Sequence, residues 1–253
     1  MINLSGKHIL IVGGSRGIGA ATARLAAGAG ASVSLTYLHN ADAAQSVVQE
    51  IEAAGGAALA MRAEIQTDGE LDRAVDEAVG VLGPLHGLVV SAGVFEGAYL
   101  QDMTAEFWDR TMAINVRGTF LAVRAAVRRI REQGGGGGSI VIYTSTAGQR
   151  GSAEYSAYAT SKGAQIMFMR SMAKELASDQ IRVNCIAPAW TETEMAAPSL
   201  DALGREEVAK GFPLGRIGLP DDVAGATCFL LSDLAAFITG STITVDGGMD
   251  MRG

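Results

Sequence analysis

The chain has 253 residues, 48% of them hydrophobic, and a net charge of −7 from 20 basic and 27 acidic side chains. That size can bury one large core and is within range for a single α/β domain. The acidic balance argues against nucleic acid or an anionic membrane surface as the main partner. With neither a membrane-length apolar run nor a charged-then-apolar leader, a cytoplasmic protein is expected.

In chain order, the apolar run 8–12 predicts a first strand. Gly13-Gly14-Ser15-Arg16-Gly17-Ile18-Gly19 follows it and leads into an alanine-rich helical pattern over 18–29. Strand, glycine turn and helix is the context in which backbone N–H groups at a helix N-terminus receive a pyrophosphate. The spacing is G-x-x-x-G-x-G and so departs from the strict dinucleotide template. Further strands are predicted at 32–37, 57–62, 87–91, 139–144, 182–187 and 242–245. Helical patterns lie over 41–54, 68–82, 104–132, 155–178 and 221–231. This alternation predicts an α/β fold, a single Rossmann-like doubly wound parallel sheet of about seven strands with helices on both faces. Ligands are then expected at the carboxyl ends of the strands, near the switch in strand order. Gly134 to Gly138 precedes a strand and reads as a surface turn, and no linker divides the chain, so one domain is expected over 1–253.

Tyr158 and Lys162 are four residues apart in the pattern 155–178, which places them on one helical face, roughly 6 Å apart. A phenol normally keeps its proton to about pH 10. An ammonium group beside it is expected to lower that value toward working pH, as proton transfer to or from an alcohol requires. Cys185 and Cys228 sit among apolar neighbours and read as buried free thiols. His8, His39 and His86 show no ligand-like pairing, so no catalytic metal is expected.

Together these motifs resemble the short-chain dehydrogenase/reductase family over nearly the whole chain. The glycine motif, Asn115, Ser145 and the Tyr158/Lys162 pair stand in that family's order, and Ser145 precedes Tyr158 by thirteen residues, as in bacterial 3-oxoacyl-[acyl-carrier-protein] reductase-like members. Pro213-Leu214-Gly215-Arg216, Pro220 to Ala224, Ile238-Thr239-Gly240 and Val245 to Gly248 are similar too. The resemblance implies catalysis by Asn115, Ser145, Tyr158 and Lys162. Tyr158 would pass a proton, Lys162 would lower its pKa and hold the nicotinamide ribose, and Ser145 would hydrogen-bond the substrate oxygen. Asn115 would interrupt its helix and bind a water leading from the lysine to solvent. It further implies a nicotinamide cofactor held by Gly13, Ser15, Arg16, Gly17, Ile18 and Gly19, by Tyr37 and His39, and by Glu64 and Ile65. Ser91, Ala92 and Gly93, Tyr158 and Lys162, and Pro188, Thr191 and Thr193 complete that set. Four places depart from the family pattern: Val12, Val90-Ser91, Glu64-Ile65 and Pro188-Ala189.

Tyr37 stands where NAD-preferring relatives carry an aspartate, and Arg16 could pair with a 2′-phosphate. NADP(H) is therefore favoured, with NAD(H) as the alternative; Leu38, where many NADP-using relatives have a second arginine, points the other way. A substrate lid is expected within 190–212, while Glu96, Glu154, Glu192 and Glu194 disfavour a strongly anionic group near the reacting centre. Reduction of 3-oxoacyl thioesters comes first among the activities, with small ketones, sugars or polyols as the alternative substrates and a non-catalytic NADP(H)-sensing module as a remote one. Arg128, Arg129 and Arg131, with Lys174, could receive an acyl carrier protein, although a solvated helix end accounts for the arginines as well. Patterns 104–132 and 155–178 are long and apolar, as faces that pair across a two-fold axis often are, and the resemblance implies a homotetramer.

Overall fold

The computed structural model describes residues 2–134 and 136–251. In chain order the elements are β1 (His8–Val12), α1 (Gly17–Gly28), β2 (Ser32–Tyr37), α2 (Ala41–Ala53), β3 (Ala58–Arg62), α3 (Glu70–Leu82) and β4 (Gly87–Val90). Then come α4 (Ala105–Met112), a π-helical turn (Ala113–Arg117), α5 (Gly118–Glu132), β5 (Gly138–Tyr143), α6 (Thr146–Arg150) and α7 (Ser156–Glu175). The chain continues through β6 (Ile181–Pro188), α8 (Ala197–Leu203), α9 (Arg205–Lys210), α10 (Pro220–Leu231) and β7 (Thr242–Val245).

The strands form one seven-stranded sheet in the order β3-β2-β1-β4-β5-β6-β7, and every pairing is parallel. A parallel sheet needs a covered surface on both sides, which is why its inner strands read as nearly unbroken apolar runs. Successive side chains point to opposite faces. Leu10, Val12, Leu88 and Val90 enter one core with residues of α3, α5 and α7. Ile9, Ile11, Val33 and Val89 enter the other with residues of α1, α2 and α10. This is the Rossmann-like fold expected from the alternation.

Strand order reverses between β1 and β4, which pair directly, with Val12 opposite Val90 and also opposite Thr36 of β2. The loops after β1 and β4 therefore diverge from adjacent strand ends, and this divergence opens a crevice.

The pattern 104–132 is not one helix. It divides at the π turn, where the Asn115 side chain bonds to Val94 instead of facing solvent. Gly118 then lets α5 begin against Ile65, where a Cβ would come within 2.9 Å of that side chain. The short helices α6, α8 and α9 span five, seven and six residues, too few turns to show a period. Of the glycine run expected to form a turn, Gly135 lies outside the described residues, and Gly138 already belongs to β5.

Candidate active site

The crevice is a cleft of about 830 Å³, a size suited to a small ligand. Ser15, Arg16, Tyr37, His39, Glu64 and Ile65 line one end, and Ser145, Tyr158, Trp190 and Met195 the other. Gly13, Gly17, Ile18, Ser91, Ala92, Gly93, Lys162, Pro188, Thr191 and Thr193 also line it. Two expected residues are not on the wall: Gly19 lies under the loop, and Asn115 is fully buried behind the floor.

The glycine loop closes tightly over β1. Gly13 has φ +84°, and a Cβ there would come within 2.6 Å of the Ala92 nitrogen. Its N–H donates to Thr36 Oγ1 at 3.2 Å. At the start of α1, the Arg16 side chain caps no amide, so the first-turn N–H groups, which lack intrahelical acceptors, carry the positive end of the helix dipole. A crowded glycine cradle at a helix N-terminus suits the pyrophosphate of a dinucleotide. Arg16 Nη1 contacts Glu194 Oε2 at 3.2 Å, joining the glycine loop to the chain after β6. Hydrogen bonds from Gln66 and Thr67 hold the Glu64 carboxyl below its ordinary range.

Ser145 leaves β5 in extended conformation and starts α6, its Oγ accepting from the Ala147 N–H at 3.1 Å. Tyr158 lies in the first turn of α7 and Lys162 one turn on. Here the structure corrects the expected tuning. Lys162 Nζ donates to the Tyr143 carbonyl at 2.8 Å and stands 5.7 Å from the Tyr158 ring centroid. The surrounding protein desolvates the phenol and pushes it up to about 12, and a hydrogen bond from Ser145 offsets part of that rise. Burial lowers Lys162 to about 8. Tyr158 is therefore a protonated donor at neutral pH, and Ser145, not Lys162, acts on its acidity in this arrangement.

Asn115 sits at the π turn that interrupts the helix, and its polar atoms meet protein groups. Its Oδ1 accepts from the Val94 N–H at 2.9 Å, and its Nδ2 donates to the Val94 carbonyl and to Ser161 Oγ. Its own carbonyl accepts from Thr119 Oγ1 at 2.7 Å and from Gln165 Nε2 at 2.8 Å. Asn115 thus ties the loop after β4 to α7 through protein partners. Thr36, Tyr143 and Gln165 escaped the sequence reading because Thr36 and Gln165 act by isolated polar contacts brought together by folding and Tyr143 by its backbone carbonyl, none of which leaves a motif.

At the substrate end, Phe95 stacks on Tyr155 with centroids 4.6 Å apart and lies edge-on to Tyr158 and Trp190. The carboxylates expected to repel anions are all engaged. Glu96 is gripped by Arg110 at 2.5 and 3.0 Å, Glu192 meets Arg205 at 3.3 Å, Glu194 meets Arg16, and Glu154 accepts from the Tyr99 hydroxyl. On the outer surface, Arg128 pairs with Asp72 and Glu132, Arg129 with Asp76 and Glu132, and Arg131 with Asp179.

The chain matches known proteins along almost its full length. The family model described as "Enoyl-(Acyl carrier protein) reductase" matches residues 12–250. A 3-oxoacyl-[acyl-carrier-protein] reductase of Synechocystis sp. is 36% identical, over 99% of this chain and 100% of that protein. An L-rhamnose 1-dehydrogenase (NAD(P)(+)) of Sphingomonas sp. is 37% identical, over 97% of each. The crystal structure of a short-chain type dehydrogenase/reductase from Mycobacterium marinum superposes with a TM-score of 0.94 at 36% identity, covering 99% of this chain and 98% of that one.

Proposed function

The chain belongs to the short-chain dehydrogenase/reductase family, oxidoreductases acting between C=O and CH–OH with a nicotinamide cofactor, and we propose that it is an NADPH-dependent reductase of 3-oxoacyl thioesters. The observation that carries the reading is Tyr158, half-buried in the cleft, hydrogen-bonded by Ser145 and one helical turn before Lys162. A phenol so placed can give its proton to a developing alkoxide.

Gly13, the first amides of α1, Ser91 to Gly93 and Thr191 to Thr193 would hold the dinucleotide, with the nicotinamide over the floor near Lys162. When bound, the reduced nicotinamide supplies the hydride that goes to the carbonyl carbon. Tyr158 gives its proton to the carbonyl oxygen, and the Ser145 hydroxyl fixes that oxygen and stabilises the charge forming on it. Lys162, anchored on the Tyr143 carbonyl, would hold the nicotinamide ribose. Phe95, Tyr155 and Trp190 exclude water from the reacting carbon and accept an apolar acyl chain.

The segment 190–212 acts as a lid: Thr191 bridges to Gly218, and α8 meets Tyr155 through Ser199 Oγ at 3.3 Å. NADP(H) is favoured over NAD(H) because no carboxylate ends β2 to repel the 2′-phosphate, while Arg16 is within reach of it. We also place the enzyme in the cytoplasm, as one folded domain that assembles as a homotetramer through α5 and α7, whose outer faces expose Phe120 and Met167. A carrier protein would have to displace the ion pairs of Arg128, Arg129 and Arg131. Surface pairs of this kind contribute only about 0–1 kcal/mol, so the exchange is affordable.

The test compares NADPH and NADH oxidation with a short 3-oxoacyl thioester, free and carrier-linked, against simple ketones and aldoses. Fast NADPH-selective turnover of the thioester supports the reading. Turnover confined to sugars or simple ketones overturns the substrate class, and equal rates with both nucleotides overturn the cofactor preference. A monomeric mass in light scattering at micromolar concentration overturns the tetramer.

A further inference from the structure

The helix α6 is rotationally fixed by its two outer contacts. Gly148 packs so closely on α7 that a Cβ there would come within 2.7 Å of the Lys162 backbone, and Gln149 Nε2 donates to Thr244 Oγ1 of β7 at 3.3 Å. The remaining residues, Thr146, Ala147 and Arg150, form the side of the helix that lines the cleft. Residues one turn apart share a face, so the rotation that points Thr146 into the cleft also points Arg150 there.

Among the described residues, Arg150 is the one guanidinium lining the cleft with no ion-pair, hydrogen-bond or aromatic partner. The other two, Arg16 and Arg110, are taken by Glu194 and Glu96. These same pairs neutralise Glu194 and Glu96, which leaves Arg150 as an exposed guanidinium free to take an anion. A planar fork of donors suits a carboxylate or a phosphate.

We propose that Arg150 anchors an anionic group of the substrate, so that the carbonyl compound reduced here carries a carboxylate or phosphate on the part of the molecule remote from the reacting carbon. This rests on the reading that Ser145 and Tyr158 mark that carbon. Arg150 follows Ser145 by five residues, about 7 Å along the helix axis, so the anion lies several bonds from the carbonyl and not beside it. A free oxo acid fits that spacing directly; the phosphate of a pantetheine arm, on a much longer tether, reaches Arg150 with the arm folded back along the cleft.

The experiment uses two matched pairs, 7-oxooctanoate with its methyl ester, and 3-oxobutyryl-pantetheine 4′-phosphate with its dephosphorylated form. In the wild type, the anion of the preferred pair should exceed its neutral partner by about tenfold in kcat/KM, through KM, as expected for one charge-assisted contact. The preference should shrink with added salt. Arg150→Ala should bring the ratio to about one, and Arg150→Lys should restore part of it. The pair showing the effect identifies the source of the anion. Binding of the same compounds to NADPH-loaded Tyr158→Phe protein, with and without Arg150→Ala, reads the anchor without turnover. Equal dissociation constants for both pairs with Arg150 present overturn the anchor even if reduction proceeds. Selective binding of an anion without any Tyr158-dependent turnover would instead uphold the anchor and overturn the reductase reading.

Discussion

The floor of the cleft and the segment over it are built by different physical means. On the floor, Asn115 is 0% and Lys162 7% exposed, and their polar contacts are to the β5 end, the loop after β4, α5 and α7. Over it, the chain from Trp190 to Phe212 has one small apolar cluster and is otherwise held largely by exposed pairs, Arg16 with Glu194 and Arg205 with Glu192 and Asp201. Buried hydrogen bonds are costly to leave unmade, whereas exposed ion pairs exchange readily with water. The difference teaches that the reacting geometry is set by the core, while access and substrate choice rest on contacts that can change at little cost.

Changes in the floor should therefore be severe and changes above it mild. The largest effect belongs to Gly13→Ala. A side chain at φ +84°, within 2.6 Å of the Ala92 nitrogen, combines backbone strain with overpacking and should weaken NADPH binding by about a hundredfold or more. Fluorescence titration checks it, and affinity within threefold of wild type would mean that the loop tolerates a Cβ.

Lys162 comes next. Its pKa is about 8 in the folded protein against 10.5 as the ordinary value. Between these the unfolded chain binds a proton that the folded chain has released, so stability rises with pH. Urea unfolding of wild type minus Lys162→Met should then climb across that window by on the order of 3 kcal/mol. Below pH 8 the lysine is protonated in both states and the difference should be flat. A difference that stays flat throughout, or falls, contradicts the desolvated lysine. Cys185, whose thiol burial pushes up to about 12, opposes this trend in both proteins.

Smaller effects are expected at the upper edge. Arg16→Ala should weaken NADPH binding by about tenfold with little change for NADH. Glu194→Ala, by freeing Arg16, should raise the NADPH:NADH ratio instead, and equal losses for both nucleotides in Arg16→Ala would exclude a 2′-phosphate contact. The smallest is Arg205→Ala, which should cost less than about 1 kcal/mol of stability while raising KM. A cooperative loss of several kcal/mol would show the upper segment to be as deeply built as the floor.

The same contrast governs how much could be read from the sequence. The seven strands were legible because a doubly covered parallel sheet demands apolar runs, and His8–Val12 and Gly87–Val90 are buried throughout. The residues around Ser145, Tyr158 and Lys162 were legible because their types and spacing are rare and their order matches a family. What those residues contact was less so. Spacing alone brings a lysine near a tyrosine, but the Tyr143 carbonyl, a backbone atom with no sequence signature, is what receives Nζ. Likewise, Glu96, Glu154, Glu192 and Glu194 read as a negative wall, because their partners Arg110, Tyr99, Arg205 and Arg16 are brought to them by tertiary folding. Arg150 escaped notice for the converse reason: its significance lies in the partner it lacks.

The central claim is that Tyr158 supplies the proton for a carbonyl reduction whose geometry the floor fixes. Its most direct test is the absorbance of NADPH during turnover of a 3-oxoacyl thioester by wild type and Tyr158→Phe, with NADPH affinity measured for both. The prediction is a loss of about 10²- to 10⁴-fold in kcat at nearly unchanged affinity. A variant that retains most of its turnover while binding NADPH normally would contradict it.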